Sequence, residues 1–179
     1  VTWSVSVADK AGNAITASAS FSVDTQSPVF ISMLPENGSM LNDPQPEFSA
    51  AYHNHGSGIN TASVKLTLDG ADVTAQGTVT AEGCSYTPSQ DLSDGTHTFT
   101  VDVSDNAGNS ASRSASVIID TAAPLISGLT PADGSYLNTL TPSFSGVFTD
   151  TGTGIDTGSV SVTLDGQPAA ADIREAGFS

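Results

Sequence analysis

Two five-residue runs frame what chemistry this chain could do: Asp9-Lys-Ala-Gly-Asn13 and Asp105-Asn-Ala-Gly-Asn109. An Asp and an Asn four residues apart around a Gly have two uses. In a strand-connecting turn, the Asp accepts backbone N–H bonds, the Gly takes positive φ and the Asn tolerates left-handed backbone. The same side chains can also offer oxygens to Ca2+, which takes roughly 6–8 oxygen ligands at loose geometry. The two uses are compatible.

Other candidates are weaker. His53 and His55 have the spacing of a strand-borne metal pair, but no third nitrogen or sulfur ligand accompanies them. An exposed, variable loop is the plainer reading. His97 follows Leu92-Ser-Asp-Gly95 and opens a strand, a place suited to a structural hydrogen bond. Ser, His and Asp are plentiful, yet no nucleophile elbow and no Gly-rich phosphate loop occurs. No acid sits beside an apolar segment that would raise its pKa for general-acid work. An enzyme is therefore not expected.

The elements that position these residues are written twice. Asp24-Thr25 and Pro28 return 96 residues later as Asp120-Thr121 and Pro124. Gly38-Ser39 returns as Gly134-Ser135, and Thr67-Leu-Asp-Gly70 as Thr163-Leu-Asp-Gly166. Between residues 1–70 and 97–166, aligned without a gap, 31 of 70 positions are identical, too many for chance. A repeat of this length can bury its own core, unlike a short solenoid unit. An array of one module argues for a spacer or adhesive protein before an enzyme.

Period-two alternation marks strands. Phe99, Val101 and Val103 share one face, matched by Trp3, Val5 and Val7 in the earlier copy. Phe48, Ala50 and Tyr52 form a second, matched by Phe144, Gly146 and Phe148. Val64, Leu66 and Leu68 form a third, matched by Val160, Val162 and Leu164. Ile15, Ala17, Ala19, Phe21 and Val23 form a fourth; its later copy is broken by Arg113, which is expected near an edge. Trp3 is the only tryptophan; its match to Phe99 places it on an inward face, a core rather than a sugar-binding position, although its strand lacks its own module here, which would leave it exposed. Asp69-Gly70 and Asp165-Gly166 follow strands directly, as a tight hairpin turn requires. Strands at this spacing with turns between them indicate an all-β antiparallel sandwich.

Pro28 and Pro124 cannot donate a ladder hydrogen bond, so the Asp-Thr-x-x-Pro element is the natural boundary. The expected organisation is residues 1–25 as the last hairpin of one module, 26–121 as a complete module, and 122–179 as the first half of a third. The sequence begins and ends inside a repeat and carries no initiator Met, and it reads as a piece of a longer protein. Gly177-Phe-Ser179 matches Gly83-Cys-Ser85 with a two-residue slip, so Cys84 stands where the other copy has Phe178 and is expected to be buried. It is the only cysteine, so no disulfide forms within the chain and stability must come from the core or from ions.

Net charge is −15, from 19 acids against Lys10, Lys65, Arg113 and Arg174. Without a basic patch, nucleic acid and anionic membrane surfaces are poor partners. No apolar run approaches the ~20 residues of a membrane helix, so no membrane insertion is expected in this segment. Fifteen of the acids are Asp. That suits turns and calcium loops alike, and it also simply favours solubility.

These residues resemble the bacterial immunoglobulin-like tandem repeats of large surface and secreted proteins. The resemblance rests on the strand plus Asp-x-Ala-Gly-Asn at 3–13 and 99–109, and on the Asp-Thr-x-x-Pro junction. Its third part is the Gly-x-Gly-Ile-(Asn/Asp)-x-x-Ser-Val-x-x-Thr-Leu-Asp-Gly run at 56–70 and 152–166. It implies seven-strand Ig-like sandwiches in tandem, an extracellular or cell-surface location, and calcium at the junctions.

In such a sandwich the B–C connection and the F–G turn face the incoming linker. That would group Asp24 with Asn54, Asn60, Asp105 and Asn109 at the first junction, and Asp120 with Asp150 and Asp156 at the second. Converging carboxylates repel unless neutralised, so these eight residues are the Ca2+ candidates. Asn54 and Asn60 stand where the next copy has Asp150 and Asp156, so the first junction is expected to bind Ca2+ more weakly.

The expected function is a non-catalytic stalk or extender of a bacterial cell-surface or secreted multidomain protein, stiffened by Ca2+ and involved in adhesion. Its partners would be neighbouring repeats of the same chain, with a host-surface or polysaccharide ligand met through other domains. The alternative is an accessory module of a secreted hydrolase, for instance one that binds polysaccharide. The incomplete ends also predict strand-swapped self-association, in which residues 1–25 complete a broken module.

Overall fold

Alternating burial makes the strands of this protein, and a computed structural model describes all of its residues, Val1–Ser179. In chain order the strands are β1 (Thr2–Ala8), β2 (Ala14–Ser20), β3 (Val29–Leu34), β4 (Met40–Leu41), β5 (Phe48–His53), β6 (Ile59–Leu68), β7 (Ala71–Asp72), β8 (Thr78–Val79) and β9 (Gly83–Tyr86). There follow β10 (Gly95–Asp105), β11 (Ser110–Ile119), β12 (Leu125–Thr130), β13 (Ser145–Thr149), β14 (Thr163–Leu164), β15 (Gln167–Pro168), β16 (Ile173–Arg174) and β17 (Gly177–Phe178). Two short 3-10 turns, Thr74–Gln76 and Thr157–Ser159, are the only helical pieces. No helix is long and apolar enough to cross a membrane.

The chain divides into two compact units. One takes residues 1–37, 47–87 and 98–115, the other 38–46, 88–97 and 116–179. This division crosses the repeat: β11 neighbours β10 in the sheet and pairs with β4 at Ile118 and Ile119, and it falls in both units.

Two sheets make the sandwich. One runs β4-β11-β10-β6-β7 and the other β3-β5-β9-β8. Pairing is antiparallel except for the two-residue parallel contact of β4 with β11. In the first unit, Phe48 of one sheet stacks on Phe99 of the other, ring centroids 5.1 Å apart. Around them lie buried Ala50, Tyr52, Val64, Leu66, Leu68, Val101 and Val103, the faces that the period-two alternation marks. Full burial of each large side chain contributes roughly 1.5–3 kcal/mol, so this stripe is the main stabiliser. Tyr52 meets Phe30 edge-on and spends its hydroxyl on the Thr80 carbonyl, 3.1 Å away.

The turns follow their residues. Asp69 takes φ 51° and Gly70 φ 81°, two consecutive left-handed positions, as a two-residue hairpin turn needs. Asp165 and Gly166 repeat them at 52° and 78°. His97 is buried and its Nε2–H donates to the Ser93 carbonyl at 2.8 Å, the structural role expected of it. Arg113 is exposed on a stretch of β11 that has no β4 partner, which is the expected edge. Cys84 is buried, and burial pushes its thiol up to about 11.

The core does not extend to the first hairpin. β1 and β2 pair only with each other, through Thr2↔Ser20 to Ala8↔Ala14, and every residue of both is exposed. Trp3 is 55% exposed where its repeat partner Phe99 is 0%. The strand pattern is right, but no second sheet covers it. In the second unit, β12-β13-β17-β16 form one sheet and β14-β15 a separate ribbon. Phe148 and Phe178 pack at 5.9 Å, while Phe144, Leu129 and Leu164 stay exposed.

Candidate functional site at the Asp-Thr-x-x-Pro joints

The first joint lies within the first unit and is built around Asp105, which closes β10 and is 1% exposed. Its Oδ1 accepts the N–H groups of Ala107 and Asn109 at 2.9 and 2.8 Å. Its Oδ2 accepts the amide Nδ2 of Asn109 at 2.8 Å and of Asn54 at 3.2 Å. Gly108 takes φ 93°, which brings the chain round tightly enough for both backbone donors to reach one oxygen. A buried carboxylate is costly unless its lone pairs are met, and here four N–H donors meet them.

Two of those donors also hold the linker. Asn109 Nδ2 donates to the Asp24 carbonyl at 3.1 Å, and Asn54 Nδ2 to the Gln26 carbonyl at 2.8 Å. Both amide orientations are settled by their partners. Asn109 Nδ2 faces two oxygens, and Asn54 Oδ1 accepts from the Gly56 and Gly58 N–H groups at 2.9 and 3.0 Å. Asp24 answers from the linker side. Its Oδ2 accepts the Ser57 N–H at 2.6 Å and its Oδ1 the Gln26 N–H at 3.1 Å. The Ser57 N–H, helped by that of Gln26, lowers the Asp24 carboxyl below its ordinary value. The fit needs Gly56: a Cβ there would come within 2.3 Å of the Asp24 carboxylate.

The second joint, within the second unit, repeats this in the same register. Asp120 Oδ2 accepts the N–H of Thr153 at 2.6 Å and its hydroxyl at 2.8 Å, and Oδ1 accepts the Ala122 N–H at 3.2 Å. The Thr153 N–H leads in lowering the Asp120 carboxyl. Gly152 is the counterpart of Gly56; its Cβ would lie 2.2 Å from Asp120. Asp120 is 8% exposed.

The eight predicted residues therefore divide. Asp24, Asn54, Asp105 and Asn109 form one hydrogen-bonded cluster. Asp120 bonds to Thr153. Asp150 caps its own turn by accepting from Gly152 and Gly154, as Asn54 does in the other copy. Asn60 and Asp156 each accept one N–H within their own turns, from Ala62 and Gly158. Ser57, Thr153, Gly56 and Gly152 carry the joints and were not among the predicted residues. Their signal was present: the Gly-x-Gly-Ile run stands in both copies with a hydroxyl residue at x.

As folded, this donor set does not fit a calcium cage. No three His, Cys, Asp or Glu side chains gather as a metal-holding group. Two amide nitrogens occupy the Asp105 oxygen that a cation would need, and nitrogen donors repel a cation. His53 and His55 lie with ring centroids 4.4 Å apart and have no third ligand. What the joints can do chemically is accept N–H groups, and so fix a linker to the loops beside it.

Residues 35–121 match a protein family described as the bacterial Ig-like domain. No curated protein matches the sequence. Among solved structures, dimeric latent PorU from Porphyromonas gingivalis is similar over 70% of this chain at 21% identity, with a TM-score of 0.44. This chain spans only 13% of PorU. CopC from Methylosinus trichosporium OB3b is similar over 53% of this chain and 94% of its own length, at 11% identity and a TM-score of 0.40.

Proposed function

Since residues 35–121 are a bacterial Ig-like domain, we propose that this chain is a non-catalytic spacer: a stalk or extender segment of a bacterial cell-surface or secreted multidomain protein. Its repeats run 1–25, 26–121 and 122–179, with the joints at Asp24 and Asp120. The observation that carries the reading is the repeated clasp, in which a linker carboxylate takes the N–H of the hydroxyl residue in the Gly-x-Gly loop. Asp24 takes Ser57, and Asp120 takes Thr153. A spacer transmits distance only if its linkers do not flex freely, and a linker bonded at both backbone and side chain has lost that freedom. The donors are protein groups, so this reading asks for no cation at the joint.

Small-angle scattering of the chain tests this. The wild type should give a narrow size distribution, the same with Ca2+ and with a chelator. Asp24→Ala with Asp120→Ala should broaden it toward flexibly linked bodies. Equal scattering from the double variant, or a stiffening that needs Ca2+, overturns the clasp as the stiffening element.

A further inference from the structure

We propose that His53 and His55 form a two-nitrogen site for a divalent transition metal of tetragonal preference, such as Cu2+ or Ni2+, with water completing its shell.

The strand period brings the pair together. His53 ends β5, opposite Val29 of β3, and His55 follows two residues later, the spacing that returns a side chain to the same face. The two ring centroids lie 4.4 Å apart, with the rings tilted by 60°. A bond from a metal to an imidazole nitrogen is about 2.0–2.1 Å, which puts each ring centroid about 3.2 Å from the metal. Two rings bound at a right angle would then stand about 4.5 Å apart, and at the tetrahedral angle about 5.2 Å. The observed separation fits the right angle. That is the arrangement of neighbouring ligands on square-planar and tetragonal ions, rather than the tetrahedral one that Zn2+ prefers.

A second observation points to the same place. Nδ1 of His53 is hidden from solvent and meets no hydrogen-bond partner. A polar atom so placed is costly unless something answers it. A neutral imidazole nitrogen is also the commonest protein ligand for metals of this class. A metal held between the two rings answers that nitrogen. The Asp105 cluster nearby does not compete for the ion, because N–H donors already take its oxygens.

The repeat shows that the pair is no requirement of the fold. The second copy has Thr149 and Thr151 at these places, yet its loop still holds the linker through the Thr153 N–H on Asp120. The histidines are thus additional to the clasp, and the site can fail without the clasp failing. A net charge of −15 raises the local concentration of any cation. Two protein ligands leave the other positions open to water, so the ion exchanges rather than being caged.

The test is titration of the 179-residue chain with Cu2+, read by calorimetry and by electron paramagnetic resonance. One strong site per chain is expected, with a spectrum that counts two nitrogen ligands. Ni2+ should compete for it and bind more weakly, following the usual order of these ions. His53→Thr and His55→Thr carry the residues of the other copy, so both should fold. Each should lose the two-nitrogen spectrum and weaken the strong site roughly a hundredfold, the gain that tethering two ligands gives. Copper held by scattered carboxylates alone, with no pair of nitrogens in the spectrum, overturns the proposal. So does a His53→Thr/His55→Thr double variant that binds Cu2+ as tightly as the wild type.

Discussion

The β1–β2 and β10–β11 hairpins are two copies of one repeat element, identical at 12 of 25 positions over residues 1–25 and 97–121, in two surroundings. Their turns close alike. Asp9 accepts from Ala11 N, Asn13 N and Asn13 Nδ2 at 2.9, 2.9 and 2.7 Å. Asp105 accepts from Ala107 N, Asn109 N and Asn109 Nδ2 at 2.9, 2.8 and 2.8 Å. The turn is therefore a self-contained device that forms with or without a domain behind it. The strands leading into it differ entirely: Val101 is 0% exposed and its copy Val5 is 53%. Burial is conferred by the opposite sheet, which the first hairpin lacks. The joint is likewise a property of the surroundings, since only Asp105 has Asn54 as a fourth donor and Asp24 beside its Asn.

The sharpest break in that comparison comes from the aromatic pair. Phe99→Ala should cost about 3–5 kcal/mol, because it removes a fully buried ring from the stack on Phe48. Trp3→Ala in the monomer should stay within about 0.5 kcal/mol, as exposed positions do. Urea unfolding of the two variants measures the difference, and equal costs would mean the hairpins are not in different surroundings.

Next is the turn carboxylate. Asp105→Ala strands the Asn54 and Asn109 amides and should cost about 3 kcal/mol, against a barely measurable loss for Asp9→Ala. Amide exchange should show the reason: with Asp105→Ala the loop at 54–58 opens faster, while Asp9→Ala changes only residues 9–13.

Smaller still is Gly56→Ala or Gly152→Ala. Each places a methyl group on the linker carboxylate and should free the Ser57 or Thr153 N–H for fast exchange, leaving the core midpoint nearly unchanged. The methyl has nowhere to go unless the carboxylate leaves, so retained protection at that amide would show a roomier joint than the structure has.

The last effect is set by pH. Hydrogen bonds from Ser57 and from Thr153 lower the Asp24 and Asp120 carboxyls below 3.8. A carboxyl lowered by folding contributes stability above its unfolded pKa. That contribution is lost as pH falls through the lower folded value. The clasps should thus hold at neutral pH and open only below about pH 3.8. Carboxyl titration by NMR checks this, and an Asp24 or Asp120 midpoint at or above 3.8 contradicts it.

Much of the fold was legible because its signals are short-range. Alternation at Phe48-Ala50-Tyr52 and at Phe99-Val101-Val103 needs only the two-residue strand period. Asp69-Gly70 forces its own turn through positive φ. Asp9 and Asp105 find their donors within four residues. The candidate site was half legible for the same reason. The junction acids stand out by repetition, but the Gly-x-Gly loop that receives them gives no chemical sign of its role, since its contribution is a backbone N–H.

The sequence alone therefore determined the repeat, the strands of the complete module, the two turn chemistries, the structural hydrogen bond of His97 and the burial of Cys84, whereas the face expected at Val160, Val162 and Leu164 forms a strand only at Thr163–Leu164. All of these follow from local geometry or from a 96-residue register. Tertiary structure alone decided that Asn54 donates to an Asp 51 residues away and that Ser57 and Thr153 hold the linkers. Those outcomes depend on which surface arrives opposite a residue. A strand carries its apolar face in its own sequence, but the sheet that covers that face comes from elsewhere in the chain.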